Sequence, residues 1–402
     1  MKNNYGLPSV ANIDYLYSAT VNRQSQLDSQ ANNALSRGID FYTKKNYTEA
    51  AREFKHSLAL SPYSNYSTQA YDYLAQAYLQ QNKPAQAIAT YQQAIKANPY
   101  EDTFHLKLGD IYYKTDKTKE AQAEYEQAVK LNPQSADNRY SLGLIYLNTG
   151  QLDKAKAQFR QVTQVAPNSV TGYLGLGQVE RQSKKYNEAI NQLNHALRVD
   201  KSFSKAYLEL GYTYTDMGNT AMAQEQVASL KSLNSSGDLI LLESYITRTT
   251  PPKIQLGYSP DGFDTTLGPG TLVSQLDSTL TSAGATKSFS MTFLFSKEMD
   301  VSSIQSLPNW EITRQAGGSI SDDYNFGQSV PSTEVSLSSI PTNVVYNSEE
   351  HTATVTFQIT QNETVSGTID PSHILFKFNG VDIYKKRMDP KADEFTGFSL
   401  IA

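Results

Sequence analysis

The sequence predicts a multidomain α plus β protein, in which a solenoid of helical hairpins is followed by an all-β domain. Small residues recur at a fixed spacing between residues 38 and 223, which is typical of repeated helical hairpins. After residue 250 the hydrophobic period changes from about 3.6 to about 2 residues, as expected where strands replace helices. The 402 residues exceed the size at which one hydrophobic core keeps growing, so at least two folding units are expected.

The small residues form two ladders in register. The first has one step of 37 residues and then steps of 34, at Gly38, Ala75, Gly109, Gly143, Gly177 and Gly211. The second lies 12 residues further on and has the same steps, at Ala50, Ala87, Ala121, Ala155, Ala189 and Ala223. A residue with little or no side chain at these points lets the two helices of a hairpin approach closely. The ladders therefore predict six hairpins.

Aromatic residues and prolines complete the repeated unit. Aromatic side chains lie one helical turn after most of the small residues. Proline closes four units, because it cannot continue a helix, at Pro62, Pro99, Pro133 and Pro167. With these features residues 31–237 resemble six tetratricopeptide repeats, which implies a right-handed α-solenoid. The last two repeats have Lys201 and Ser235 in place of the proline, as expected of repeats near the end of an array.

The resemblance also implies a binding groove, because fixed positions of the first helix of each repeat line a peptide-binding surface in that family. These positions are Leu35, Ile39, Tyr42, Asp72, Gln76, Leu79, Leu106, Asp110, Tyr113, Tyr140, Leu144, Leu147, Leu174, Gln178, Arg181, Leu208, Tyr212 and Thr215. Leu and Tyr anchors between Gln and Asp favour an extended or helical peptide with apolar side chains as the ligand. The alternative is that some of these residues only pack inside the solenoid.

Residues 1–30 are predicted to form an arm or accessory helix, and residues 238–250 a capping helix and linker. Val10, Ile13, Leu16, Tyr17 and Val21 have roughly helical spacing. A helix of this length is marginal in water unless it packs against something. We therefore expect the arm to cover the first repeat or to contact a neighbouring copy, which would give a homo-oligomer or a filament.

Residues 251–402 are predicted to form a β-sandwich of about seven short strands. The predicted strands are 254–258, 289–295, 310–313, 335–337, 344–346, 353–359 and 374–378. The stretch 295–300, Phe-Ser-Lys-Glu-Met-Asp, with Asn309 and Trp310 beyond it, resembles the bacterial Ig-like domain of surface-layer proteins. That resemblance implies an Ig-like sandwich that acts as a spacer, adhesion or assembly module at a cell surface.

Composition predicts a non-enzymatic protein without a metal or cofactor. There is no cysteine, no phosphate-binding loop is visible, and the positions of the five histidines argue against their cooperation in a metal or catalytic site. A net charge of −5 argues against nucleic acid as a partner. No stretch approaches the roughly 20 apolar residues of a membrane helix, so no membrane span is predicted.

Two functions remain open on the sequence alone. The first is an extracellular or cell-surface scaffold whose groove binds a protein or peptide. Because the first residues lack the apolar core of a Sec signal, that scaffold would need another export route or a leader that precedes this sequence. The second is a cytoplasmic adaptor or chaperone that recruits a client protein.

Overall fold

The computed structural model describes residues 10–316, 319 and 321–397, with side chains from residue 20 onward. These residues form a helical solenoid followed by a β-rich region. By the density of its contacts the chain divides into two compact units, and the division falls between Thr213 and Tyr214.

Thirteen helices occupy residues 10–249 of the described chain. They are α1 (Val10–Thr43), α2 (Tyr47–Leu60), α3 (Ser67–Gln80), α4 (Pro84–Ala97), α5 (Asp102–Lys114), α6 (Thr118–Leu131), α7 (Ala136–Asn148), α8 (Leu152–Val165), α9 (Val170–Gln182), α10 (Tyr186–Val199), α11 (Ser204–Asp216), α12 (Thr220–Ser232) and α13 (Ser236–Thr249). From α1 to α10 each odd-numbered helix packs against the next helix, and successive hairpins also contact each other. The first helix of each hairpin is called helix A and the second helix B.

Helix α1 is 34 residues long and continues without a break through residue 30, into helix A of the first hairpin. Its described N-terminal part contacts the end of α2, where the Ser61 hydroxyl donates to Asp28 Oδ1 at 2.5 Å and Gln24 Nε2 donates to the Ser61 oxygen at 3.2 Å. Val21 is half-exposed. The other four apolar residues of the predicted arm, between 10 and 17, have side chains outside the described part. The expected intermolecular contact therefore stays a prediction.

The turns between helices repeat as regularly as the helices. Helices α2, α4, α6 and α8 each end two residues before a proline of the repeat. Between helix A and helix B, one residue per hairpin has a positive φ, at Lys45, Asn82, Asp116, Gly150, Lys184 and Gly218. This left-handed conformation favours glycine, yet only two of the six positions have it. The turn is therefore imposed by the packing of the two helices.

The predicted close contacts inside the hairpins are confirmed at Gly109 and Gly143. A Cβ atom at Gly109 would lie 2.7 Å from Cε1 of Tyr125, and one at Gly143 would lie 2.6 Å from Cε1 of Phe159. Real Cβ atoms essentially never approach another atom this closely. The missing side chain thus makes room for the aromatic ring of helix B.

The C-terminal region contains nine strands among the described residues. They are β1 (Ile254–Tyr258), β2 (Thr271–Leu272), β3 (Thr286–Phe295), β4 (Trp310–Arg314), β5 (Asn343–Asn347), β6 (Thr352–Thr360), β7 (Thr368–Ile369), β8 (Ile374–Phe378) and β9 (Glu394–Phe395). They form a four-stranded sheet in the order β1-β3-β6-β5, a three-stranded sheet in the order β4-β8-β9 and a β2-β7 pair, all antiparallel.

An aromatic core joins the two larger sheets. Phe293 of β3 lies 5.4 Å, between ring centroids, from both Trp310 of β4 and Phe376 of β8. Phe357 of β6 is also 5.4 Å from Phe376. These rings come from the alternating positions of β3 and β6 that the sequence predicts to be buried, so the two sheets face each other across them.

The predicted strand at 335–337 is wrong. Only isolated bridges occur there, from Glu334 to Thr368 and from Leu337 to Ile359. Val335 is buried in the core and Leu337 packs against it, so the apolar alternation is present, but the two bridges are to different segments and no continuous ladder forms.

Helix α13 is fastened to the β-rich region by a buried lysine. Lys297 Nζ donates to the carbonyl oxygen of Thr247 at 2.6 Å and also to that of Thr250. It lies 3.0 Å from Oδ2 of Asp382, which is fully buried. The ammonium group therefore satisfies carbonyl groups at the end of α13 and balances a buried carboxylate.

We expect Gly143→Ala to destabilise the solenoid by about 1–3 kcal/mol, because the added methyl group would overlap the Phe159 ring and force a shift in packed helices. The measurement is thermal unfolding followed by far-ultraviolet circular dichroism. Gly237→Ala is the matched control, since Gly237 lies in α13 with no atom within 4 Å of the added Cβ. Equal melting temperatures for the wild type and Gly143→Ala would show that the hairpin contact is not tight.

Candidate functional site

The candidate groove residues from Leu35 to Tyr212 occupy equivalent positions of α1, α3, α5, α7, α9 and α11, but their exposure differs. Leu35, Leu147, Leu174 and Leu208 are buried, with at most 7% of their surface exposed. These four leucines therefore pack inside the solenoid, as the alternative to a binding role expects. The other candidates up to Tyr212 are partly or largely exposed, and Tyr113 is 42% exposed. The surface available to a ligand is therefore narrower than the sequence predicts.

Asp72 is held by its neighbours on both carboxylate oxygens. Its Oδ2 accepts a hydrogen bond from Gln76 Nε2 at 2.6 Å, and its Oδ1 accepts one from the Tyr91 hydroxyl at 2.6 Å. The Tyr42 hydroxyl extends the network by donating to Gln76 Oε1 at 3.4 Å. These polar groups are engaged with one another, so they shape the groove more than they offer bonds to a ligand.

Asp110 is held by a tyrosine hydroxyl in the same way, and the tyrosine–aspartate pair occurs in two of the six repeats. The Tyr125 hydroxyl donates to Asp110 Oδ1 at 2.8 Å. Only the second and third repeats have tyrosine at this helix B position; the others have Phe54, Phe159, Leu193 and Val227. The same two repeats are the ones with an aspartate among the groove candidates. Burial, followed by the nearby carboxylate, raises the pKa of both Tyr91 and Tyr125, so each hydroxyl stays a donor at neutral pH.

Pockets with apolar walls open along this face. The first has a volume of about 220 Å³ and is lined by Leu79, Tyr91 and Ile111, with Lys107 and Lys114 also among its lining residues. The second, of about 120 Å³, lies among Tyr113, Tyr125, Ser141, Leu144 and Ile145. The sequence analysis missed the two lysines because they lie outside the positions that line the groove in the tetratricopeptide family. Their signal was present, since they are seven residues apart and therefore share one face of α5.

A third pocket, of about 270 Å³, is polar. Arg181 Nε lies 3.1 Å from Glu209 Oε2, and Gln178 Nε2 donates to Glu209 Oε1 at 2.8 Å. The Arg181 guanidinium also lies over the Tyr212 ring, 5.3 Å from its centroid. Gln178 Oε1 is buried and has no hydrogen-bond partner. The charges of Arg181 and Glu209 therefore balance in this pocket.

Family models of the tetratricopeptide repeat match residues 73–136, 114–176 and 204–234, and a TPR repeat model matches residues 177–218. The chain contains tetratricopeptide repeats. The matches overlap the hairpins from α3 to α12 and thus include the three pockets.

Solved structures show a limited likeness to this chain. A tetratricopeptide repeat protein from Parabacteroides merdae is 20% identical, with 55% of this chain and 86% of that chain covered and a TM-score of 0.49. PilF of Pseudomonas aeruginosa is 17% identical, with 55% and 99% covered and a TM-score of 0.45. YrrB, described as a TPR protein with an unusual peptide-binding site, is 20% identical, with 48% and 98% covered and a TM-score of 0.38. No curated protein matches the chain significantly.

Outside the tetratricopeptide repeats, the structure contains a Ser-His-Asp cluster that the sequence analysis did not single out, although its members lie within the four residues 370–373. His373 Nδ1 lies 2.7 Å from Asp370 Oδ2, and the Ser372 hydroxyl donates to Asp370 Oδ1 at 2.7 Å. His373 Nε2 lies 3.0 Å from the carbonyl oxygen of Ser321. All three clustered side chains are essentially inaccessible to solvent. With the serine buried and Nε2 facing a backbone carbonyl, the cluster braces the β-rich region instead of presenting a nucleophile.

Within the described residues, no group of three or more His, Asp and Glu side chains is arranged to hold a metal ion. The helices of that part of the chain include none that is both long and apolar enough to cross a bilayer.

We expect Tyr125→Phe to destabilise the protein by about 1.5 kcal/mol, because Asp110 loses a hydrogen bond to its charged carboxylate. Urea unfolding provides the measurement, and a double-mutant cycle with Asp110→Ala should give a coupling of about 1 kcal/mol.

Phe159→Tyr makes the opposite change to Tyr125→Phe, at the equivalent helix B position of the fourth repeat. It adds a hydroxyl at a fully buried site of the fourth repeat, which has no aspartate among its groove candidates, and should cost about 1–3 kcal/mol. Zero coupling between Tyr125 and Asp110 would show that the hydroxyl does not stabilise the carboxylate.

Proposed function

We propose that this protein is a protein-interaction scaffold that binds an extended peptide segment of a partner along α3, α5, α7 and α9. Tetratricopeptide proteins act in protein–protein interaction and peptide binding, which supports the proposal. The observation that carries it is the row of solvent-open pockets along one face. Asp72 and Glu209 are engaged with protein groups there, while Tyr113 and Leu144 remain accessible.

Leu144 is the residue on which this proposal is most directly tested. It lines both the second and the third pocket, so a ligand that spans them must pass it. A partly exposed apolar residue between two pockets, with tyrosine beside it, has the character of a binding hot spot.

We expect Leu144→Arg to weaken peptide binding at least about tenfold, because a charged side chain would fill the space between two pockets. Peptides are first selected from a displayed random library on the full-length wild-type protein, and their affinities are then measured by fluorescence anisotropy. Tyr100→Arg is the control, since Tyr100 is 88% exposed in the turn between α4 and α5. Equal affinity of the selected peptides for Leu144→Arg and wild type would remove the groove as the binding site.

We further propose that the β-rich region is an Ig-like domain and that the scaffold acts at the bacterial cell surface or outside the cell. The stretch 295–300 supports this, together with two sheets that face each other across Trp310 and Phe293. In that stretch Asp300 begins a short helical turn, where its Oδ1 accepts a hydrogen bond from the Ser303 backbone N–H at 2.9 Å. The alternative is a cytoplasmic adaptor or chaperone.

Fractionation of the native organism separates these two locations. We expect the protein in the envelope or in the medium, detected with an antibody raised against residues 251–397. A cytosolic marker enzyme in the same fractions controls for lysis. Recovery of the protein only with that marker would favour the adaptor.

A further inference from the structure

The two lysines beside the first pocket are unpaired cations. Lys107 and Lys114 are exposed, and neither forms an ion pair or hydrogen bond with any residue in the described part of the chain. Asp110 lies three residues after the first and four before the second, a spacing at which helical ion pairs form. Asp110 Oδ1 accepts the Tyr125 hydroxyl, and neither lysine is paired with this carboxylate. The lysines are therefore left with their charge facing solvent.

The pocket beside them is apolar and of side-chain size. Leu79, Ile111 and the Tyr91 ring form much of its wall. The Tyr91 hydroxyl donates to Asp72, so the ring contributes mainly carbon. A cavity of about 150 Å³ holds a benzene molecule, and at about 220 Å³ this pocket accommodates a Leu, Met or Phe side chain.

The neighbouring pockets differ in size and in charge. The second, at about 120 Å³, takes only a small apolar side chain. In the third, Arg181 is neutralised by Glu209. Asp110 also lines the first pocket, so two lysines there stand against one carboxylate. Of the three pockets, only the first combines an apolar wall with an excess of positive charge.

The spacing of the pockets sets a register for a ligand. The first lies between α3 and α5 and the second between α5 and α7, one repeat further on. Packed helices lie about 8–10 Å apart. A peptide in the polyproline II conformation rises about 3.1 Å per residue with three residues per turn, so side chains three positions apart share one face. Successive pockets therefore fit side chains about three residues apart.

We propose that the partner segment is an acidic, extended peptide in which a large apolar residue is flanked by Asp or Glu and a small apolar residue follows three positions along. The large residue fills the first pocket and its acidic neighbours contact Lys107 and Lys114. The small residue fills the second pocket. This inference rests on the proposed function of the groove.

The test compares two synthetic peptides that share a Gly/Ser background with Leu and, three positions on, Val. One has Glu on both sides of the Leu and the other has Lys. We expect the full-length protein to bind the Glu peptide at least about tenfold more tightly in fluorescence anisotropy, and the preference to shrink as salt is added. The double variant Lys107→Glu/Lys114→Glu should reverse the preference.

The matched control is Lys96→Glu/Lys130→Glu. It changes the net charge equally, but the two lysines are exposed in the last turns of the helix B segments α4 and α6. We expect it to keep the preference for the Glu peptide. Each peptide is also made with an amidated C-terminus. We expect the amidated and the free-acid forms to bind with equal affinity, because the groove is proposed to recognise side-chain carboxylates.

Three results would overturn the inference. They are binding of neither peptide, an equal preference in wild type and the Lys107→Glu/Lys114→Glu variant, and binding that requires a free C-terminal carboxylate. If library peptides still depend on Leu144 in those cases, the groove function stands and only the acidic partner is wrong. If no library peptide depends on Leu144, the proposed function itself fails.

Discussion

Four hairpins of the array, the first, third, fourth and fifth, depend on a ring or branched side chain of helix B that lies against a glycine of helix A. At Gly109 and Gly143 even one methyl group would overlap the rings of Tyr125 and Phe159. Interiors are packed as tightly as organic crystals, so such a contact fixes the distance and rotation of both helices. The faces that helix A presents to a ligand follow from that rotation.

The same contact determines the polarity of the groove. Because Gly109 leaves room for the ring of Tyr125, the Tyr125 hydroxyl reaches Asp110, the next residue of helix A. In the second repeat the small residue is Ala75, and the Tyr91 hydroxyl reaches Asp72 instead. A repeat with tyrosine at this buried helix B position therefore has a charged residue among its groove candidates, and a repeat with phenylalanine there has none. The core and the binding surface are coupled through a single hydroxyl group.

Charge along the groove is uneven. In the third repeat the tyrosine engages the aspartate and the lysines beside it stay unpaired. In the third pocket, which lies further along the array, Arg181 and Glu209 neutralise each other. A ligand would thus meet a positive, apolar end and a neutral, polar end of one surface. Such an arrangement favours one orientation of a peptide over the other, since reversing the peptide would misplace its charges.

The sequence by itself determined the helical hairpins and the β-rich region, because close helix contact requires a small residue every 34 positions and a buried sheet face requires alternation, as in β3 and β6. It missed the two-residue strands β2, β7 and β9, since two residues have no period. Only the tertiary structure decided which groove positions face solvent: Leu147 and Tyr113 occupy equivalent positions, yet one is buried and the other exposed. It also decided that Lys107 and Lys114 are unpaired. The helical spacing favours a pair with Asp110, but pairing also depends on the side-chain conformations in the folded protein, where Asp110 Oδ1 accepts the hydroxyl of Tyr125 from the neighbouring helix.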